Sequence, residues 1–106
     1  MRASKFAFVS ALALWASAGT ASAVTVDQEI VFMNDVSGSV DATDFNFMLT
    51  GFAEAFRDAS VIAKIQSGSI GQIAVTLGFF ASTPVQATPW TIISDAVSGN
   101  AFADAV

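Results

Sequence analysis

Cysteine and histidine are both missing from the 106 residues. Without cysteine no disulfide can stabilise the fold, and no lipidated cysteine can follow an export signal. Without either residue the chain lacks the commonest general base and the strongest nucleophile of enzymes. Positive charge is scarce as well: four Lys and Arg stand against nine Asp and Glu, a formal net charge of −5. Such a surface repels nucleic acid and anionic lipid, and its natural counter-partner is a cation. No paired arginine lies near the start, which argues against export through a twin-arginine route.

Two of the four cations, Arg2 and Lys5, open the chain. They precede an almost wholly apolar stretch, Phe6 to Trp15, and then the small residues Ala21-Ser22-Ala23. A positive start, an apolar centre and a small-residue cleavage site are the three zones of a secretory signal peptide. The apolar centre is about ten residues long, whereas a spanning helix needs roughly 20. Residues 1–23 are therefore expected to be a signal peptide and Val24 the mature amino terminus. The product is then exported to the periplasm, the cell surface or the medium, with no membrane attachment after cleavage. Residues 24–106 carry Arg57 and Lys64 against all nine carboxylates, a net charge of −7. They are enough for one small domain, which at this size is marginal. Yet the composition is very apolar, so the domain is expected to pack against a partner or to be incomplete.

Ile30-Val31-Phe32-Met33 is a continuous apolar run, as is most of Ile73 to Phe80. Continuous rather than alternating apolarity predicts strands covered on both faces, as in parallel sheets. Between them, Asp41 to Arg57 reads as a helix with Phe45, Met48, Leu49, Phe52 and Phe56 on one face and with Asp41 or Thr43 as its cap. Phe47 falls off that stripe. Asp58 or Ser60 can cap a short second helix bearing Val61, Ile62 and Ile65. Ser82-Thr83-Pro84 is too short for a parallel crossover, so Val85 to Ile93 is expected to return as one antiparallel strand. Pro89 within it predicts a sheet edge. Ser94-Asp95 can cap a further turn. Ser98-Gly99-Asn100 is expected to interrupt it, with a new helix beginning at Ala101.

Asp35-Val36-Ser37-Gly38-Ser39 sits where the first strand hands over to the first helix. In open α/β sheets ligands bind at the carboxyl ends of strands. Asp35, Ser37 and Ser39 share a parity, and Gly38 is expected to let the chain curl so that they converge. One carboxylate and two hydroxyls are hard oxygen ligands suited to Mg2+ or Mn2+, and as three donors they fill only half an octahedron. Asp, Ser and Gly are also ordinary turn residues, so a plain strand-to-helix turn fits the same letters. An Asp at a strand end can also serve as a phosphoryl-transfer nucleophile, but the haloacid-dehalogenase pattern needs a second Asp where Ser37 stands. A phosphate cradle at Ser-Gly-Ser is opposed by the acidic surroundings.

Four segments together resemble the opening of a von Willebrand factor A-like domain of the bacterial secreted branch. They are I-V-F-M-N-D-V-S-G-S-V from Ile30, F-R-D-A-S-V-I from Phe56, G-S-I-G-Q-I-A-V from Gly68 and P-W-T-I-I-S-D-A from Pro89. The resemblance spans residues 28–106. It implies a doubly wound, Rossmann-like α/β three-layer sandwich with an antiparallel edge strand. It also implies a non-enzymatic binding or adhesion module. By the same resemblance, Asp35, Ser37 and Ser39 are the first part of a metal-ion-dependent adhesion site. Ser37 and Ser39 would hold the ion directly, Asp35 directly or through water, and a protein ligand would supply a carboxylate to complete the shell. Asn34 departs from the family's usual apolar or small residue. The Thr and Asp that complete such sites come from later loops, and Thr83, Thr88 and Thr91 do not match them. The expectation is therefore a partial site in a truncated domain. An unmetallated structural or interaction fragment is the alternative, and an Asp35-dependent phosphohydrolase the least favoured reading.

Overall fold

The two apolar runs become neighbouring strands. In the computed structural model, which describes residues 23–106, β1 spans Gln28–Asp35 and β2 Ile73–Phe80. They pair in parallel over their whole length, from Gln28 opposite Ile73 to Asp35 opposite Phe80. The signal peptide expected over residues 1–23 lies, apart from Ala23, outside the described residues. Between the strands run α1 (Ala42–Arg57) and α2 (Ala59–Gln66), which make the crossover. After β2 come β3 (Pro84–Gln86), β4 (Thr91–Ile93) and α3 (Ala96–Ala105). The fold is thus a mixed α/β arrangement, with a small open sheet of parallel and antiparallel strands and three helices.

The helices share one core. Phe56 of α1, Ile62 of α2 and Phe102 of α3 form a single buried cluster with Ile73, Val75 and Leu77 of β2 and Ile93 of β4. Ile30 and Phe32 of β1 lean on it from the strand side. Aromatic rings tie the layers together: Phe32 meets Phe52 at 5.0 Å between centroids, and Phe56 meets Phe102 edge-on at 4.8 Å. All three helices therefore lie on the same side of the sheet. This corrects the expectation that β1 is covered on both faces. Its burial alternates, with Val31 and Met33 exposed on the side away from the helices. β2, flanked by strands on both edges, is buried from Ile73 through Gly78 as a central strand should be.

The antiparallel return is also not one strand. β3 pairs with the end of β2 (Phe79 with Val85) and β4 with its beginning (Ala74 with Ile92). The two form one sheet edge with a break between them. Thr88, 2% exposed, fills the break. Its hydroxyl accepts the Leu77 amide at 2.9 Å, and its carbonyl accepts the Thr76 hydroxyl at 2.7 Å. Both the Ala87 and Thr88 amides donate to the Leu77 carbonyl. A threonine side chain thus takes over ladder bonds where Pro89, lacking an N–H, could not continue them.

Asp41 caps α1, accepting the Asp44 amide at 2.9 Å. Asp58 ends α1 and also caps α2. Asp95 caps α3 in a reciprocal box with Ser98. The expected interruption at Ser98-Gly99-Asn100 does not occur. The helix runs straight through, and Gly99 lies where a Cβ would come 2.5 Å from the Phe56 carbonyl oxygen. Tight approach of α1 and α3, not helix breaking, explains that glycine.

Asp27, just before β1, anchors the strand to the α2–β2 loop. Its carboxylate accepts the Ile70 amide at 2.9 Å, the Gly71 amide at 2.7 Å and the Gln72 amide at 3.3 Å. Gly71 holds φ at +84°, a left-handed conformation that glycine adopts without strain. The Ile70 amide foremost lowers the Asp27 pKa; burial opposes it, and the Gly71, Gln72 and Ser69 amides add to the lowering. A depressed folded-state pKa contributes stability that is present above the ordinary carboxylate value of about 3.9 and lost as pH falls through the lowered one. The thermal midpoint of the native chain is therefore expected to fall as pH drops below about 4, and that of Asp27→Asn to fall less. Parallel slopes in pH-dependent circular dichroism melts would contradict this role.

Candidate functional site

β1 ends by handing its last ladder position to the turn. The Val36 amide donates to the Phe80 carbonyl at 2.9 Å, one step past the Asp35–Phe80 pair. The chain then turns through Ser37-Gly38-Ser39-Val40, closed by the Val40 amide on the Ser37 carbonyl at 2.9 Å. Asp41 follows at once as the cap of α1. The turn thus lies between the carboxyl end of a parallel strand and the amino end of a helix.

Asp35 and Ser37 are joined. One oxygen of the Asp35 carboxylate, Oδ1, accepts both the Ser37 amide at 2.9 Å and the Ser37 hydroxyl at 2.5 Å. The hydroxyl bond first, then the amide bond, lowers the Asp35 pKa. The carboxylate is therefore ionised well into the acid range. A hydroxyl that spends its proton on a carboxylate keeps its lone pairs for a cation. The donor set of this pair is then one anionic and one neutral hard oxygen, which matches Mg2+ or Mn2+.

Ser39 stands exposed at the third position of the turn, two residues beyond Ser37. The bonded unit is thus Asp35 with Ser37. The role expected of Gly38 is also corrected. Among the described residues only Gly71 has a positive φ, and a Cβ at Gly38 would meet nothing within 4 Å. The turn closes without glycine's special backbone freedom, and Gly38 leaves open space above it. Of the threonines on the hairpin, Thr88 is buried in the strand break, and Thr91 donates to the Pro89 carbonyl at 3.2 Å.

Among the described residues no three His, Cys, Asp or Glu side chains gather as a metal-holding group. A site at Asp35 would rest on one carboxylate and hydroxyls. The same bonding recurs at Asp58, whose Oδ1 accepts the Ser60 amide at 2.7 Å and the Ser60 hydroxyl. There it serves as a helix cap. What separates the two aspartates is position: one ends a strand of the sheet, the other joins two helices. A depression of about 600 Å³ between β1 and α2 lies at the opposite end of the strands, near Asp27 and Gly68.

Two features carry no signal in the sequence. The partners of Asp27 lie more than forty residues away and are backbone amides, so no local pattern marks it. The helix-free face with Trp90 is masked by the apolar run Ile30–Met33, which has the pattern of a doubly covered strand.

A family described as "Protein of unknown function (DUF1194)" matches residues 25–106. No curated protein matches the chain. No solved structure matches it either.

Proposed function

The chain belongs to the DUF1194 family, and from that premise we propose that it is an exported, non-enzymatic binding module with a partial site for Mg2+ or Mn2+ at Asp35, Ser37 and Ser39. One observation carries the reading: the Ser37 hydroxyl donates to the Asp35 carboxylate at the carboxyl end of a parallel strand that leads into a capped helix. The arrangement β1–α1–α2–β2, with antiparallel strands on the far edge of β2, supports a fold built like the start of a von Willebrand factor A-like domain. In such a doubly wound three-layer sandwich the helix-free face would carry further helices. Residues 1–23 provide the signal for export. A carboxylate offered by a protein ligand would complete the ion's shell, and the ion would bridge the two proteins electrostatically.

Three protein donors leave half of an octahedral shell to water. Affinity in the absence of a ligand is accordingly expected in the millimolar range, on the order of 4 kcal/mol of binding. Mn2+ titration followed by water-proton relaxation suits this case, since a bound ion that keeps its waters gives a strong signal. The paired change Ser37→Ala and Ser39→Ala is expected to weaken binding about tenfold or more. Binding by the unaltered chain should persist from pH 7 to about pH 5, because Asp35 titrates below the ordinary carboxylate range. No relaxation enhancement with the unaltered folded chain would end the metal reading.

The Asp58–Ser60 duplicate favours one alternative, an unmetallated interaction fragment in which Asp35 merely shapes the turn. On that reading Ser37→Ala lowers the melting temperature equally with and without divalent ion. The phosphohydrolase reading has less support, since Ser37 stands where that chemistry needs a second Asp and its hydroxyl instead donates to Asp35 Oδ1.

A further inference from the structure

We propose that the depression between β1 and α2 binds a small organic carboxylate with an apolar body, its charged end at Lys64. The site lies at the amino end of the strands, shares no residue with the Asp35 turn and does not depend on the metal reading.

The depression exists because α2 does not lie down on the sheet. α2 packs on α1 and α3, while the Asp27 carboxylate holds the loop after α2 against the start of β1. The space left between helix and strand is about 600 Å³, within the range of small-molecule sites. It opens on the side of the sheet that the helices already cover, so helices packed on the opposite face would leave it free. Phe56 and Ile73, both buried, form its floor. Ile30 and Phe32 of β1 and Val61 and Ile65 of α2, all half-buried, form its walls. Water in a hollow lined this way makes few hydrogen bonds. An apolar body that displaces it is held by the apolar area it removes from water. Phe32 and Phe56 meet edge-on at 6.0 Å between centroids, and a third ring can pack against them in the same manner.

The rim selects the charge of the ligand. Residues 24–106 carry two cations, Arg57 and Lys64. Arg57 is paired with Asp104, and among the described residues that is the one ion pair. Lys64 lines the depression with no carboxylate in ion-pair reach. Two other polar groups at the rim are occupied. Asp27 accepts the Ile70, Gly71 and Gln72 amides, which offset its charge. The Ser67 hydroxyl donates to the Lys64 carbonyl at 2.6 Å. The charged group left unspent is a cationic donor, so the complementary ligand brings an anionic acceptor. One ammonium balances one negative charge, and the nearby Asp27 disfavours a dianion such as a phosphate ester. A carboxylate on an apolar body meets both demands, whereas a cationic ligand leaves Lys64 unpaired and a purely polar one leaves the walls wet.

Titration of the full chain with phenylbutyrate, followed by calorimetry and by backbone amide NMR shifts, tests the proposal. Saturable binding is expected, with the shifts concentrated at Ile30, Phe32, Val61 and Ile65. The neutral phenylbutyramide should bind about threefold more weakly, the effect of one exposed ion pair. Lys64→Met keeps an apolar stem and removes the charge. It should weaken the acid about threefold and leave the amide unchanged. Val61→Phe, which puts a ring into the hollow, should remove binding of both. Circular dichroism confirms that each variant is folded. Absence of shifts at the four wall residues overturns the proposal, as do shifts centred on Trp90 instead. Equal affinity for acid and amide also overturns it, as does a Lys64→Met chain that binds the acid as tightly as the unaltered one.

Discussion

Replacing Phe102 by alanine is expected to unfold a large fraction of the chain at room temperature. Phe102 is fully buried in the middle of α3, edge-on to Phe56 and within the cluster that includes Ile62, Leu77 and Ile93. Removing a buried phenyl ring costs about 3–5 kcal/mol, from lost transfer energy and from the cavity left behind. A domain of this length has roughly 5 kcal/mol in total to lose. The ring is also α3's principal hold on the core. The helix has no second large buried side chain, since its other buried residues are Gly99 and Ala103. Neighbouring rings cannot close the gap without pulling α1 off the sheet. Thermal melts should show the midpoint falling by about 15 °C or more. Phe47→Ala on the exposed side of α1 should shift it by no more than a few degrees. A Phe102→Ala midpoint within a few degrees of the unaltered chain would mean that α3 is not docked as described.

The second large effect runs against helix propensity. Glycine inside a helix is normally about 1 kcal/mol worse than alanine, so Gly99→Ala would ordinarily stabilise α3. Here the new Cβ would lie 2.5 Å from the Phe56 carbonyl oxygen and 2.7 Å from Ile62 Cδ1. The isoleucine tip can rotate away. The carbonyl belongs to the backbone of α1 and can yield only if the two helices separate. Overpacking of this kind costs about 1–3 kcal/mol, so Gly99→Ala is expected to be net destabilising. Gly51 offers the comparison within the same protein. It lies inside α1, where an added methyl group would meet nothing within 4 Å, and Gly51→Ala should gain up to about 1 kcal/mol. Equal signs for the two substitutions in denaturant titrations would contradict the close approach of α1 and α3.

These two positions also show where the sequence could be read and where it could not. The stripe Phe45, Leu49, Phe52 and Phe56 announced α1 because helical periodicity is local, and Asp41 and Asp58 announced its ends because capping is local. Gly99 carries the same letter as a helix breaker, but its reason is a carbonyl on another helix. No local pattern contains that information. The broken return strand has a similar cause. Pro89 marked an edge, yet that Thr88 would turn inward and replace ladder bonds with its own hydroxyl depends on Leu77, eleven residues earlier. For β1, the run Ile30–Met33 reported how apolar the strand is, not how many layers cover it. At the candidate site, the turn from β1 into α1 was legible because the strand end, the Ser-Gly-Ser turn and the helix cap are adjacent in sequence. The exposed position of Ser39 was not, because parity along an extended strand no longer applies once the chain turns at Ser37.

The parallel pairing of β1 and β2 carries a kinetic consequence. Gln28 meets Ile73 forty-five positions later, whereas β2 and β3 are joined by the short Ala81–Thr83 connection. Closing the longer loop costs more chain entropy and rewards it later. The hairpin and the α1–α2 pair are thus expected to form early, with β1 docking near the end. Asp35 is the last residue of that late strand, so the carboxylate and the Ser37 hydroxyl take up their final setting only after most of the chain has folded. An ion held there would lower the rate of unfolding and leave the rate of folding nearly unchanged.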